Sequence, residues 1–105
     1  MVKIRTEREI KLIAESNKIV AETLDILSKN IRPGIKTNEL DKLAEEYIVS
    51  QGARPAFKGY MGFPSTICIS IDDEVVHGIP NGKILKEGQI VSIDCGTEKN
   101  GYYGD

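Results

Sequence analysis

The hydrophobic period of this 105-residue chain changes once, and that change limits the folds open to it. As far as Gly52 the apolar residues recur at steps of three and four; from Thr66 onward they alternate. Thr6-Glu7-Arg8-Glu9 has the pattern of a capping box, a Thr N-cap answered by a Glu three residues on. Behind it Ile10, Ile13, Val20, Leu24, Leu27 and Ile31 form a helical stripe, with Asn17 occupying one turn and Pro33-Gly34 ending it. A second helix is expected from a Thr37 N-cap, with Leu40, Leu43, Ala44, Tyr47 and Ile48 on one face and a stop near Gly52. Stripes of this kind are core-packing faces rather than partner surfaces.

Residues 54–65 break the pattern, because Gly59, Gly62 and Pro64 forbid a regular element there. The stretch carries Phe57, Tyr60, Met61 and Phe63, which are costly to leave in water. Such a loop either lines an apolar cavity or folds over the core. Thr66–Ile71 then reads as a strand, Asp72-Asp73-Glu74 as a turn, Val75–Ile79 as the returning strand and Asn81-Gly82 as another turn. Gln89–Thr97 is a further strand, and Asn100-Gly101 is a strong signal for a two-residue hairpin leading into Tyr102–Asp105. Two helices followed by antiparallel hairpins make an α+β fold in a single domain over residues 1–105.

Composition narrows the partners. Lys plus Arg number 14 and Asp plus Glu 16, a formal charge of −2, so no basic field exists to gather nucleic acid or an anionic membrane. No apolar run is long enough to span a bilayer, and the two cysteines form no CxxC pair. A reduced, cytoplasmic setting is the expectation.

Asp94 interrupts the apolar run Ile90-Val91-Ser92-Ile93, where an unpaired carboxylate is expensive. If Asn100 and Gly101 are the turn residues, Lys99 pairs with Tyr102 and Asp105 falls opposite Gly96. Asp94 and Asp105 are then diagonal neighbours, with backbones about 7–8 Å apart. Two carboxylates so placed repel unless a cation or a shared proton lies between them. A pair of ions about 3.5–4 Å apart fits that gap, and oxygen ligands suit Mn²⁺, Co²⁺, Fe²⁺ or Zn²⁺. Gly96 and Gly104 leave room for ions or a substrate backbone. The alternative is that Asp94 caps a turn amide and Asp105 is a plain polar residue. His77, the sole histidine, is either a satisfied core residue or a functional one at a strand end opened by Gly78 and Pro80. Cys68 falls opposite it if Asp72-Asp73 is a two-residue turn, which offers a Cys–His nucleophile pair; a buried, apolar cysteine is the other reading.

The segments Tyr60-Met61-Gly62-Phe63-Pro64, Ile67–Ile71, Glu74–Pro80, Ile93-Asp94-Cys95-Gly96 and Gly101–Asp105 resemble the type I methionine aminopeptidases, and the likeness runs along the whole chain. The resemblance implies half of a pita-bread fold and a site for two divalent metal ions. It gives Asp94 the role of chelating one metal, Asp105 that of bridging both, and His77 a role in substrate contact and proton transfer. Tyr60, Phe63 and Cys68 would line the pocket for a methionine side chain. The implied activity is metal-dependent removal of the initiator methionine from nascent proteins, close to the ribosome. The family's complete site also needs a second histidine and two glutamates after the second aspartate. The resemblance therefore covers the N-terminal part of the catalytic domain, cut after Asp105, and the 105 residues alone are expected to be inactive and prone to self-association through an uncovered sheet edge. The alternatives are a non-catalytic pita-bread binding module and an X-Pro peptidase, whose long additional N-terminal domain has no counterpart here.

Overall fold

The structure, a computed structural model, describes residues 5–72 and 78–105. Helix α1 spans Glu7–Asn30 and opens with the expected capping box: Thr6 Oγ1 accepts from the Glu9 N–H at 3.1 Å, and the Glu9 carboxylate accepts from the Thr6 N–H at 3.1 Å. Its buried face is rotated from the aliphatic stripe. Ser16, Ile19, Val20, Thr23 and Leu27 are buried, whereas Ile10 is 55% exposed and Ile31 also faces solvent. Polar residues can occupy this face because their hydroxyls are paired, Thr23 with the Ile19 carbonyl at 2.7 Å and Ser16 with the Tyr102 carbonyl at 2.8 Å.

Helix α2 spans Thr37–Ser50 and buries Thr37, Leu40, Ala44 and Ile48. Thr37 is not its N-cap. Lys36 holds that position without a side-chain cap, and the free N–H groups of the first turn find carbonyls far along the chain instead. The Thr37 N–H donates to Lys83 O at 3.0 Å and the Asn38 N–H to Asn81 O at 2.8 Å. The Thr37 hydroxyl donates to Asn81 O at 3.0 Å and accepts from the Asn81 N–H at 2.8 Å. Asn81 therefore docks on α2, which goes beyond the simple turn its sequence suggested.

Five strands follow. Strand β1 (Arg54–Pro55) lies in the stretch expected to be irregular, and a 3-10 turn forms at Tyr60–Gly62. Pro55 is tolerated because β1 is an edge strand, where a missing N–H costs nothing. Strand β2 (Ile67–Ile71) pairs antiparallel with β3 (Val91–Cys95), placing Cys68 opposite Asp94. Strands β4 (Thr97–Lys99) and β5 (Tyr102–Gly104) form a hairpin with Lys99 opposite Tyr102 and Thr97 opposite Gly104, the register expected from Asn100-Gly101. Both turn residues have positive φ, 54° and 83°. Strands β1, β4 and β5 make one sheet, β2 and β3 another.

The single strand expected over Gln89–Thr97 is thus divided at Gly96, where the chain passes from one sheet to the other. Phe57 causes the break: a Cβ at Gly96 would lie 2.9 Å from its ring. Part of the returning strand, residues 73–77 with His77 among them, lies outside the described residues. Gly78 and Ile79 are not in a strand, but Gly78 O accepts from the Ile69 N–H at 2.9 Å. That bond shifts by two residues the partner a two-residue Asp72-Asp73 turn would give Ile69, which removes the register argument for a Cys68–His77 pair.

The core joins Val20 and Leu27 of α1, Leu40 and Ala44 of α2, Ile67, Ile69 and Ile71 of β2 and Cys95 of β3. Asp41 of α2 adds a polar tie, its Oδ1 accepting from the N–H groups of Thr66 and Ile67, both at 2.9 Å.

Candidate functional site

Strand alternation turns Ile67, Ile69 and Ile71 into the core and presents Cys68 and Asp94, side by side in register, on the opposite face. The 54–65 stretch lies along that face and borders an open cavity of about 500 Å³ lined by Phe57, Tyr60, Met61, Phe63, Cys68, Ile79 and Asp94, with Gly62 and Pro64. The aromatic stretch thus lines a cavity rather than lying over the core. Its shape is set by short main-chain bonds, Gly59 N–H to Phe63 O at 2.7 Å and Phe63 N–H to Tyr60 O at 2.9 Å. Between them Met61 adopts φ 48°, and its side chain is 89% exposed at the rim.

Three of the expected pocket residues, Tyr60, Phe63 and Cys68, therefore meet one of the two expected metal ligands, Asp94, at a single cavity. Asp105 does not line it; it follows β5, its N–H donating to Asn17 Oδ1 at 3.2 Å. The two carboxylates come from different sheets, not from one face of one sheet as the diagonal argument assumed, yet they share a neighbourhood. Burial, then Asp94 and then Asp105 raise the Cys68 thiol above its ordinary value. The same three causes, in the same order, push Cys95 up to about 12. A thiol kept protonated suits a cavity wall and argues against Cys68 as a nucleophile.

Both carboxylates act electrostatically on the same pair of thiols, and their hard oxygens are the donor type divalent ions take. The residues fit the group. Among the described residues no cluster of three or more His, Cys, Asp or Glu is arranged to hold a metal. The two glycines have another use than the one expected. A Cβ on Gly104 would lie 2.5–2.7 Å from main-chain atoms of Ser16 and Asn17, so this glycine admits helix α1, while Gly96 admits Phe57.

Sequence reasoning passed over two residues here. Ile79 lines the cavity, and it belongs to the connection between β2 and β3 rather than to either strand. Asn17 reaches the main chain of Asp105, and its signal was visible as the polar interruption of the α1 stripe.

A family model for "Metallopeptidase family M24" matches residues 11–105. Methionine aminopeptidase 1 of Bacillus subtilis is 51% identical over 105 residues, covering 100% of this chain and 42% of the relative. The crystal structure of methionine aminopeptidase from Rickettsia prowazekii superposes with a TM-score of 0.93 at 44% identity, over 98% of this chain and 42% of that one. The prolidase from Pyrococcus furiosus shares the fold at a TM-score of 0.81 and 25% identity, over 95% of this chain and 28% of that one. The architecture is accordingly that of part of a pita-bread fold, and the chain spans about 42% of the length of the methionine aminopeptidases it matches. With a carboxylate-edged apolar cavity and a match over nearly all of its residues, the chain belongs to the metallopeptidase family M24.

Proposed function

We propose that these residues form the N-terminal part of the catalytic domain of a methionine aminopeptidase, which removes the initiator methionine from nascent chains in the cytoplasm, close to the ribosome. The observation that carries this reading is the cavity: an apolar, aromatic chamber of about 500 Å³ with one carboxylate, Asp94, in its wall. Phe63, Tyr60 and the neutral Cys68 thiol give an unbranched thioether side chain soft, polarizable contacts. Asp94 and Asp105 would hold two divalent ions, taken from Co, Mn, Fe or Zn. Such ions, when bound, supply Lewis acidity toward a peptide carbonyl and make water a nucleophile at neutral pH. Asp94, in the cavity wall, would orient the scissile bond relative to the bound side chain. His77 is assigned by resemblance to contact the substrate and to carry a proton at its imidazole.

The greater likeness to methionine aminopeptidases than to the prolidase, 44–51% against 25% identity, favours this over the X-Pro reading, and retention of both aspartates favours it over a non-catalytic module. The experiment is an assay on Met-Ala-Ser with added Mn²⁺ or Co²⁺, using the 105-residue chain alone and with the remaining part of the Bacillus subtilis relative supplied in trans. Activity is expected only in the second case, and Asp94→Asn is expected to lower it at least about 100-fold. Turnover by the chain alone, or near-normal turnover with Asp94→Asn, would overturn the reading.

A further inference from the structure

We propose that Asn17 is a positioning residue for Asp105, fixing through the main chain where its carboxylate stands relative to Asp94; the inference rests on the reading of these aspartates as metal ligands. Helix α1 holds the β4–β5 hairpin through the Lys99–Glu15 ion pair at 2.7 Å, the Tyr102 hydroxyl donating to Glu9 at 3.4 Å, and the buried step Ser16-Asn17. Gly104, bare of a Cβ, lets the helix backbone come close enough for this contact. The Ser16 hydroxyl donates to Tyr102 O at 2.8 Å, and the Thr97 hydroxyl donates to Ser16 O at 2.9 Å. Ser16 and Thr97 are both fully buried, so these two bonds are shielded from water and set the hairpin's place on the helix.

The remaining contact reaches past the strand: the Asp105 N–H donates to Asn17 Oδ1 at 3.2 Å. A hydrogen bond to the main-chain N–H of the residue that bears the carboxylate restricts the φ it adopts, and with it the direction in which the oxygens stand. Asn17 is exposed on α1, where asparagine forms helix less well than alanine by a few tenths of a kcal/mol, so helix formation does not account for it. Its bond to Asp105 does.

The test is a titration with Mn²⁺ of the 105-residue chain complemented in trans by the remaining part of the Bacillus subtilis relative, followed by the loss of the free-ion electron paramagnetic resonance signal, alongside thermal melting by circular dichroism. Asn17→Ala is expected to weaken Mn²⁺ binding about three- to tenfold, the equivalent of one hydrogen bond, while melting no lower than the wild type. Asn17→Asp keeps the acceptor in place and is expected to restore the affinity at about 0.5 M salt, where its added charge is screened. Wild-type affinity in Asn17→Ala, failure of Asn17→Asp to restore it, or a loss of affinity tracking a lower melting temperature would each overturn the inference. Asp105→Asn separates the two readings: if it binds Mn²⁺ like the wild type, or if the wild type binds none, the metal assignment itself falls.

Discussion

The two sheets each carry one of the two aspartates and hold it by different forces. In β2–β3 the support is apolar: Ile67, Ile69 and Ile71 are buried behind the cavity face, each burial contributing about 1.5–3 kcal/mol. In β4–β5 it is polar and steric: two hydroxyl bonds, worth about 0.5–1.5 kcal/mol each, and the close approach of α1 at Gly104. The first kind of support is distributed and tolerates exchange of one aliphatic residue for another. The second is concentrated at a few atoms and tolerates little. The cavity wall is therefore built to be rigid in bulk, while the placement of Asp105 depends on single contacts.

The largest test of that contrast is Gly104→Ala. Its Cβ meets main-chain atoms of α1, which cannot turn aside as a side chain can, so a loss of about 3 kcal/mol in urea unfolding is expected. Ile69→Val in the other sheet is expected to cost only about 0.5–1.5 kcal/mol. Equal losses would erase the distinction. Next in size is Phe63→Ala, which removes apolar cavity wall and no ligand. With the peptidase assembled, kcat/KM on Met-Ala-Ser is expected to fall by the equivalent of about 1–3 kcal/mol with Mn²⁺ affinity unchanged. A fall in metal affinity instead would show that the wall and the ligands are not separable.

The smallest effect sharpens the comparison, because it concerns a polar tie in the apolar sheet. Burial raises Asp41 above its ordinary 3.8, outweighing the N–H groups of Ile67 and Thr66 that pull it down, with Glu45 adding to the rise and Lys58 opposing it. A carboxyl with a raised folded value contributes stability below its unfolded pKa and loses that contribution as pH rises through the folded value. Relative to Asp41→Asn, the wild type is thus expected to lose a small increment of stability on going from below pH 3.8 to neutrality. An increment of opposite sign, read from urea curves at several pH values, would show that the two N–H bonds dominate.

Features encoded within a few residues were legible beforehand. The Thr6–Glu9 capping box and the Asn100-Gly101 turn each contain their own geometry, and the turn alone was enough to set the hairpin register. What was not legible depends on partners distant in sequence. Ser16 could be buried only because Tyr102 and Thr97 arrive to pair with it, 86 and 81 residues away. The break at Gly96 needed Phe57, and the edge position of Pro55 needed β4. At the site, the aromatic loop and Asp94 were readable because their residue types are costly elsewhere. The sharing of the carboxylates between two sheets was not, since nothing local distinguishes a continuous strand from one that changes sheet.

The way α2 begins bears on the order in which the chain assembles. Its first turn is completed by Asn81 and Lys83, Asn81 lying 44 positions after Thr37. During synthesis at about 5–20 residues per second, α2 leaves the ribosome several seconds before its cap does. Over that interval the helix has its apolar face but an open N-terminal turn, and it frays from that end. Closing the turn therefore waits on a loop closure rather than on helix growth, which makes docking of the 81–83 segment the step that locks the first half of the chain to the second.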